Sequence, residues 1–237
     1  MKIKVYPWPN QPTKIAIFTG ITCNLACLLC GPGASSRWRA ELGLGKFNDL
    51  DTNVEDYDFS KIEHVTFTGG EPLLNETTLE ILRRLNSDTN IHFHSNGTVL
   101  PTQEHLEQFA RFEKFLLVFS IDDIEQQFEY LRWPAKWADV VDNIAWFRDC
   151  APDNVRFGFN VVISKLNEDS YHRVKDWMSQ HLPQNKKGID TIFYTNETNG
   201  LLHRTEKLDN RNPVEFLDEV DSRRSTNWKL AFPLVKL

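Results

Sequence analysis

Sulfur is scarce in this chain: 237 residues hold four cysteines and two methionines. No apolar run approaches the roughly 18 residues a membrane span requires, and the opening MKIKVYPWPN has no apolar stretch of the kind a secretory leader uses. Neither a membrane anchor nor export is therefore expected, and the protein reads as cytoplasmic. Neither sign of charge dominates, since 27 Lys and Arg against 33 Asp and Glu give a net charge of −6, mixed along the chain. That leaves no basic stripe for duplex nucleic acid. Internal repeats, low-complexity segments and an obvious linker are also missing, which favours one sizeable core.

What is present is concentrated. Three of the four cysteines fall within TCNLACLLC, as Cys23, Cys27 and Cys30, and the fourth, Cys150, stands 120 residues beyond Cys30. In a reducing compartment such clustering serves metal or redox chemistry more often than disulfides. The C-x3-C-x2-C spacing suits a loop wrapped round an iron–sulfur cluster, each short spacer letting the backbone curl round one face. Zinc is a rival, but it wants four ligands and no Cys or His follows within the next thirty residues. A buried apolar segment that merely contains small thiols is another. Under the first reading, three ligands leave one iron open to something that is not protein.

About forty residues on lies HVTFTGGEPLLN, where VTFT reads as a buried strand and Gly69-Gly70 permit a sharp turn with close backbone approach. Taken alone, GGEP is an ordinary strand-to-helix turn. Together with the cysteine loop it resembles the radical S-adenosylmethionine superfamily, in the branch that holds peptide-modifying and molybdopterin-precursor enzymes. The resemblance covers roughly residues 14–197. It implies a [4Fe–4S] cluster on Cys23, Cys27 and Cys30, and S-adenosylmethionine chelated by the open iron. Reductive cleavage would then give a 5′-deoxyadenosyl radical that abstracts hydrogen from a substrate. It also implies that the Gly69-Gly70 turn holds the methionine amino group, with Glu71 and Pro72 fixing its shape. An external electron donor, flavodoxin or ferredoxin, is implied too.

The rest of the chain alternates between strand and helix. Strands are expected over 14–20, 64–69, 90–97, 114–122, 155–164 and 190–195. Helical patterns separate them: SSRWRAELGL, NETTLEILRRLN with Asn75 as N-cap, PTQEHLEQFARF, a long stretch from Ile124 to Cys150 that Pro134 must break or kink, and NEDSYHRVKDWMSQHL. Such an α/β alternation predicts parallel strands with crossovers, matching the partial (β/α)6 barrel of that superfamily. The expected division is a core domain over 1–197 and a C-terminal extension over 198–237 that packs on the barrel edge through Phe216 and Leu217.

In parallel barrels functional groups gather at the C-terminal strand ends. Ser95 and Asn96 in HSNG resemble the family's polar turn near cofactor or substrate, though Asn-Gly turns are common. Ser120 and Asp122 in FSIDD would face the cofactor's ribose or carboxylate, the rival being a helix N-cap. Arg132, by resemblance, reaches the methionine carboxylate, for which a planar guanidinium is well shaped. Asn160, polar among apolar neighbours, either points to the adenosyl group or is a satisfied core amide. His64, His92 and His94 lack ligand spacing with the cysteines, and alternation with Phe93 turns His94 inward. Leu29 stands where the family commonly has an aromatic residue over the adenine. Trp38 reads as a core or surface residue rather than a covering group.

A second cluster is not expected, because no cysteine follows Cys150, itself read as a structural thiol. Modification of a peptide or protein side chain is the leading expectation for the reaction. A small heterocycle or nucleoside precursor, as in 7-carboxy-7-deazaguanine synthase, activation of a glycyl-radical partner, and non-catalytic iron–sulfur binding are the alternatives.

Overall fold

The computed structural model describes residues 13–45, 58–164 and 166–181, and the backbone of 193–197. Six strands form one sheet in chain order: β1 (Lys14–Phe18), β2 (His64–Thr68), β3 (Asn90–Ser95), β4 (Lys114–Ser120), β5 (Val155–Ile163) and β6 (Phe193–Glu197). All five pairings are parallel. Parallel neighbours need crossovers, and helices supply them: α1 (Ser36–Glu41), α2 (Glu76–Arg84), α3 (Gln103–Ala110), α4 (Glu125–Leu131), α5 (Trp137–Cys150) and α6 (Ser170–His181). Among the described residues β1 and β6 do not pair, so the barrel is partial, as expected. The C-terminal extension, with Phe216 and Leu217, lies outside the described residues.

Local chemistry explains the breaks. Pro134 splits the long helical pattern, and α4 and α5 flank a loop with a cis Trp133–Pro134 peptide. Thr102, one residue after Pro101, caps α3 by accepting from the His105 N–H. Asn75 precedes α2 at the expected position but makes no side-chain cap there; its Nδ2 donates instead to the Glu71 carbonyl at 3.1 Å.

The sheet's two faces differ in chemistry. On the helix-covered face Val65, Phe67, Ile91, Phe93, Phe115, Leu117, Phe119, Phe157 and Phe159 are buried, and Phe93 meets the rings of Phe67, Phe109 and Phe115 at 5.4–5.8 Å. Truncating one such ring would cost about 3–5 kcal/mol, because its neighbours cannot collapse into the space. The opposite face, inside the curve of the sheet, carries His64, Thr66, Asn90, His92 and His94, all half-buried. Leu116 and Val118 of β4 share that face, so it is polar along β2 and β3 and apolar along the middle of β4.

Candidate active site

Where β1 and β2 end, their pairing does not. Thr19 N–H donates to the Thr68 carbonyl (2.9 Å), Gly70 N–H to Gly20 (2.8 Å) and Glu71 N–H to Thr22 (2.7 Å). This ladder ties the GGEP turn to the residue just before Cys23. It also shows why the turn needs glycine: a Cβ on Gly70 would sit 2.2 Å from the Thr22 carbonyl oxygen, and one on Gly69, at φ +125°, 2.7 Å from that of Gly20. The close approach expected toward a ligand is made first to the cysteine loop's own backbone.

A second pairing grips the loop further along. Ala26 N–H donates to the Trp133 carbonyl (2.7 Å) and Leu28 N–H to that of Leu131 (2.8 Å), so the end of α4 and the residues just after it run alongside Cys27. Trp38 is buried, and its indole N–H donates to the Cys27 carbonyl at 2.7 Å while its ring packs with Trp133 and Ala26. It is thus a core anchor of the loop. Ser36 closes the near end, accepting from Cys23 N–H and donating to its carbonyl, both at 3.1 Å. Leu29 is half-buried.

The gripped loop holds its thiols in unlike surroundings. Cys27 is buried, Cys23 half-buried and Cys30 exposed. A hydrogen bond with Cys30, then burial, pushes the Cys27 thiol well above the usual range, while nearby Arg132 pulls it down. Burial likewise raises Cys23. Two thiols raised by their surroundings beside a third that is exposed form a sulfur donor set whose binding as thiolates is driven by a cationic group, and that set suits an iron–sulfur cluster. Among the described residues no three His, Cys, Asp or Glu side chains converge on a single ion, as a zinc site requires. A cluster offers a separate iron to each sulfur, so its ligands need not share a centre.

Arg132 is held between the loop and β4. Its Nε lies 2.9 Å from Asp122 Oδ2, though the N–H is not aligned along the contact, and both side chains are buried. Burial opposes the guanidinium charge, but Asp122 and the thiols of Cys27 and Cys30 outweigh it and raise the pKa. Asp122 is fixed by accepting from Val162 N–H at 3.0 Å. It does not cap α4, whose N-cap is Ile124. Ser120, the last residue of β4, and Asn160, inside β5, are register partners on the inner face, both half-buried, so Asn160 is not a sealed core amide.

Other predicted residues knit the site together from behind. Glu71 is fully buried; its carboxylate accepts from Leu73 N–H (3.2 Å) and Asn96 N–H (2.7 Å). Pro72 opens a single 3-10 turn over Pro72–Leu74. Ser95 faces the helix side and accepts from Gly97 N–H, away from the inner face. The Asn96 amide donates to Asn24 Oδ1 (3.0 Å) and, at 3.9 Å, to Cys23 Sγ. Asn24 donates onward to Thr98 Oγ1 at 2.8 Å. Asn24, Thr98, Trp133, Ser35 and Ser36 went unnoticed as site residues. Only the two serines carried a signal, as N-cap candidates beside the loop. Cys150 ends α5 and is exposed.

Two outcomes are expected. Gly70→Ala should lose about 3 kcal/mol of stability in urea melts and bind less iron, because backbone rather than a movable side chain blocks the methyl. For Glu71, burial pushes the carboxyl up to about 7. The unfolded chain ionises first, so this group's contribution is full at low pH and is lost as pH rises toward 7, by roughly 3 kcal/mol. Urea melts of the metal-free protein at pH 5 and pH 8 should show that loss, and Glu71→Gln should not; parallel behaviour would refute the assignment.

Comparison with known proteins agrees with this geometry. The family model described as the Radical SAM superfamily matches residues 17–178. GTP 3′,8-cyclase of Streptomyces coelicolor is 26% identical over 164 residues, 67% of this chain and 47% of that protein. Among solved structures, Streptococcus suis SuiB bound to S-adenosylmethionine aligns at a TM-score of 0.52 and 15% identity, over 89% of this chain and 45% of its own. SuiB bound to the precursor peptide SuiA aligns at 0.55 and 15%, over 93% and 46%. These structural likenesses carry the fold alone, and the chain spans about half the length of the relatives it matches. With the family model covering the cysteine loop, the glycine turn and strands β2–β5, the chain belongs to the radical SAM superfamily.

Proposed function

We propose that this chain is a cytoplasmic enzyme that removes a hydrogen atom from a peptide or protein side chain. The observation that carries the reading is the cysteine loop itself: three thiols on one backbone-locked loop, with a buried arginine against two of them. Cys23, Cys27 and Cys30 would hold a [4Fe–4S] cluster. When bound and reduced by flavodoxin or ferredoxin, the cluster supplies the electron that cleaves S-adenosylmethionine to methionine and a 5′-deoxyadenosyl radical.

The chain's own residues orient and shield. The Gly70 and Glu71 N–H groups already donate within the ladder, so an ammonium, which needs acceptors, would be met by the turn's carbonyl oxygens. Arg132, held by Asp122 on one edge, would turn its other edge to the methionine carboxylate. Ser120 and Asn160 would meet the ribose hydroxyls, while Glu71, Ser95 and Asn96 keep the surrounding loops in register. The barrel excludes water from the reactive carbon.

The peptide reading is supported by the shared fold with SuiB, whose structure holds a precursor peptide. A nucleotide or small heterocycle is the second reading, favoured by the sequence likeness to GTP 3′,8-cyclase.

Anaerobically reconstituted protein, reduced with dithionite in the presence of S-adenosylmethionine, should yield 5′-deoxyadenosine by liquid chromatography. Cys27→Ala should abolish both cluster and product, and Cys150→Ala should keep both. A Cys150→Ala protein without iron would overturn the ligand assignment.

A further inference from the structure

The histidines inside the sheet, His64, His92 and His94, are not equivalent. The rings of His64 and His92 meet edge to face at 4.4 Å, and a His64 ring nitrogen lies 3.2 Å from Thr66 Oγ1. His94 stands outside that contact, half-buried and two residues further along β3, and its ring makes no hydrogen bond among the described residues. Its nitrogens are reachable rather than sealed, since the buried, unpartnered side-chain nitrogens and oxygens among those residues belong to Thr78, His105 and Arg132. An imidazole that folding neither uses nor hides is available to a ligand.

Strand register supplies its surroundings. Val118 is level with His94 on β4, and Gly158 with Val118 on β5. On the other side Phe67 pairs with Phe93, which brings Thr68 to the level of His94, and Phe18 pairs with Thr68. Along β1–β5 this layer therefore reads Phe18, Thr68, His94, Val118 and Gly158, with no charged residue in it. Val118 is buried, whereas Phe18 is 53% exposed, the most of any large apolar side chain among the described residues. Burial lowers the pKa of His94, so at pH 7 the ring is neutral, with one donor and one acceptor nitrogen. A neutral ring flanked by apolar side chains suits an uncharged polar group on an apolar stem, and gives a bare charge no counter-ion.

This layer also lies close to the thiols. Asn96, two residues beyond His94 and so about 7 Å higher at the rise of a strand, reaches Cys23 Sγ at 3.9 Å. A group hydrogen-bonded to His94 would sit beneath the cysteine loop, within one side chain's length of it.

We infer that His94 determines substrate specificity by hydrogen-bonding an uncharged hydroxyl or amide of a substrate side chain, while Phe18 and Val118 pack on that side chain's apolar stem. The inference deepens the proposed function and rests on its placing the substrate inside the barrel. It favours side chains of the tyrosine or glutamine kind over carboxylates and ammonium groups.

The test uses the reconstituted full chain with isotopically labelled histidine rings. The probes are p-cresol and butyramide, with toluene as the apolar control and p-toluate as the charged one. Nuclear magnetic resonance follows the His94 ring signal, assigned by its loss in His94→Gln, and saturation transfer to each probe gives its affinity. At least one of the two polar probes should shift the His94 signal saturably. In His94→Leu that probe should bind about fivefold less tightly, as expected for one lost neutral hydrogen bond, while toluene binds as before. His94→Gln, which keeps a donor and an acceptor, should retain most of the affinity, and p-toluate should bind less well than p-cresol. A His94 signal moved by neither polar probe, affinities unchanged in His94→Leu, a parallel loss for toluene, or a preference for p-toluate would overturn the inference. The wild-type signal shift and the p-toluate comparison keep the test open to failure if His94→Leu does not fold. None of these readouts involves S-adenosylmethionine, so a wild-type chain that forms no 5′-deoxyadenosine fails the proposed function separately.

Discussion

The N–H groups of Gly70 and Glu71 donate to the carbonyls of Gly20 and Thr22, and those of Ala26 and Leu28 donate to Trp133 and Leu131. Between them these four bonds clamp a loop that has no regular structure of its own, one pair on each side of Cys23. Each amide bond contributes only about 1 kcal/mol net. Leaving the same groups unpaired in a buried place would cost more, and this fixes the path of the loop. The position of the thiols, the lie of Arg132 beside Cys27 and the requirement for glycine at 69 and 70 all follow from the clamp.

Much of this was legible in the sequence, for identifiable reasons. The first five strands could be read because their helix-facing residues are mostly apolar and aromatic, and the break at Pro134 because proline cannot continue a helix. Cys23, Cys27 and Cys30 stood out by spacing. The glycine pair was legible as a place needing close approach, but the approaching partner, the Gly20–Thr22 backbone, lies fifty residues earlier and leaves no local signal. The grip of Trp133 on the loop is likewise invisible, because main-chain pairing depends on no particular side chain. Ser95 was read as a ligand contact, yet strand alternation puts it with Ile91 and Phe93 on the helix side. The β3 pattern already contained that parity.

Buried charge is distributed to match these roles. Glu71 sits behind the site, satisfied by backbone N–H groups and Ser95, and cross-links the glycine turn to the loop after β3. Asp122 and Arg132 sit at the front, where the cation faces sulfur. A buried pair of this kind is poor value for stability alone, since desolvation offsets most of the attraction. Its place against two thiols gives it a use that packing would not.

The most direct test of the central claim, that a three-thiol loop leaves one iron open beside the glycine turn and Arg132, is electron paramagnetic resonance of the reduced, reconstituted protein with and without S-adenosylmethionine. The account predicts a [4Fe–4S] signal whose shape changes when S-adenosylmethionine is added, because under the proposed function the cofactor would bind the cluster itself. A cluster signal indifferent to S-adenosylmethionine would contradict it.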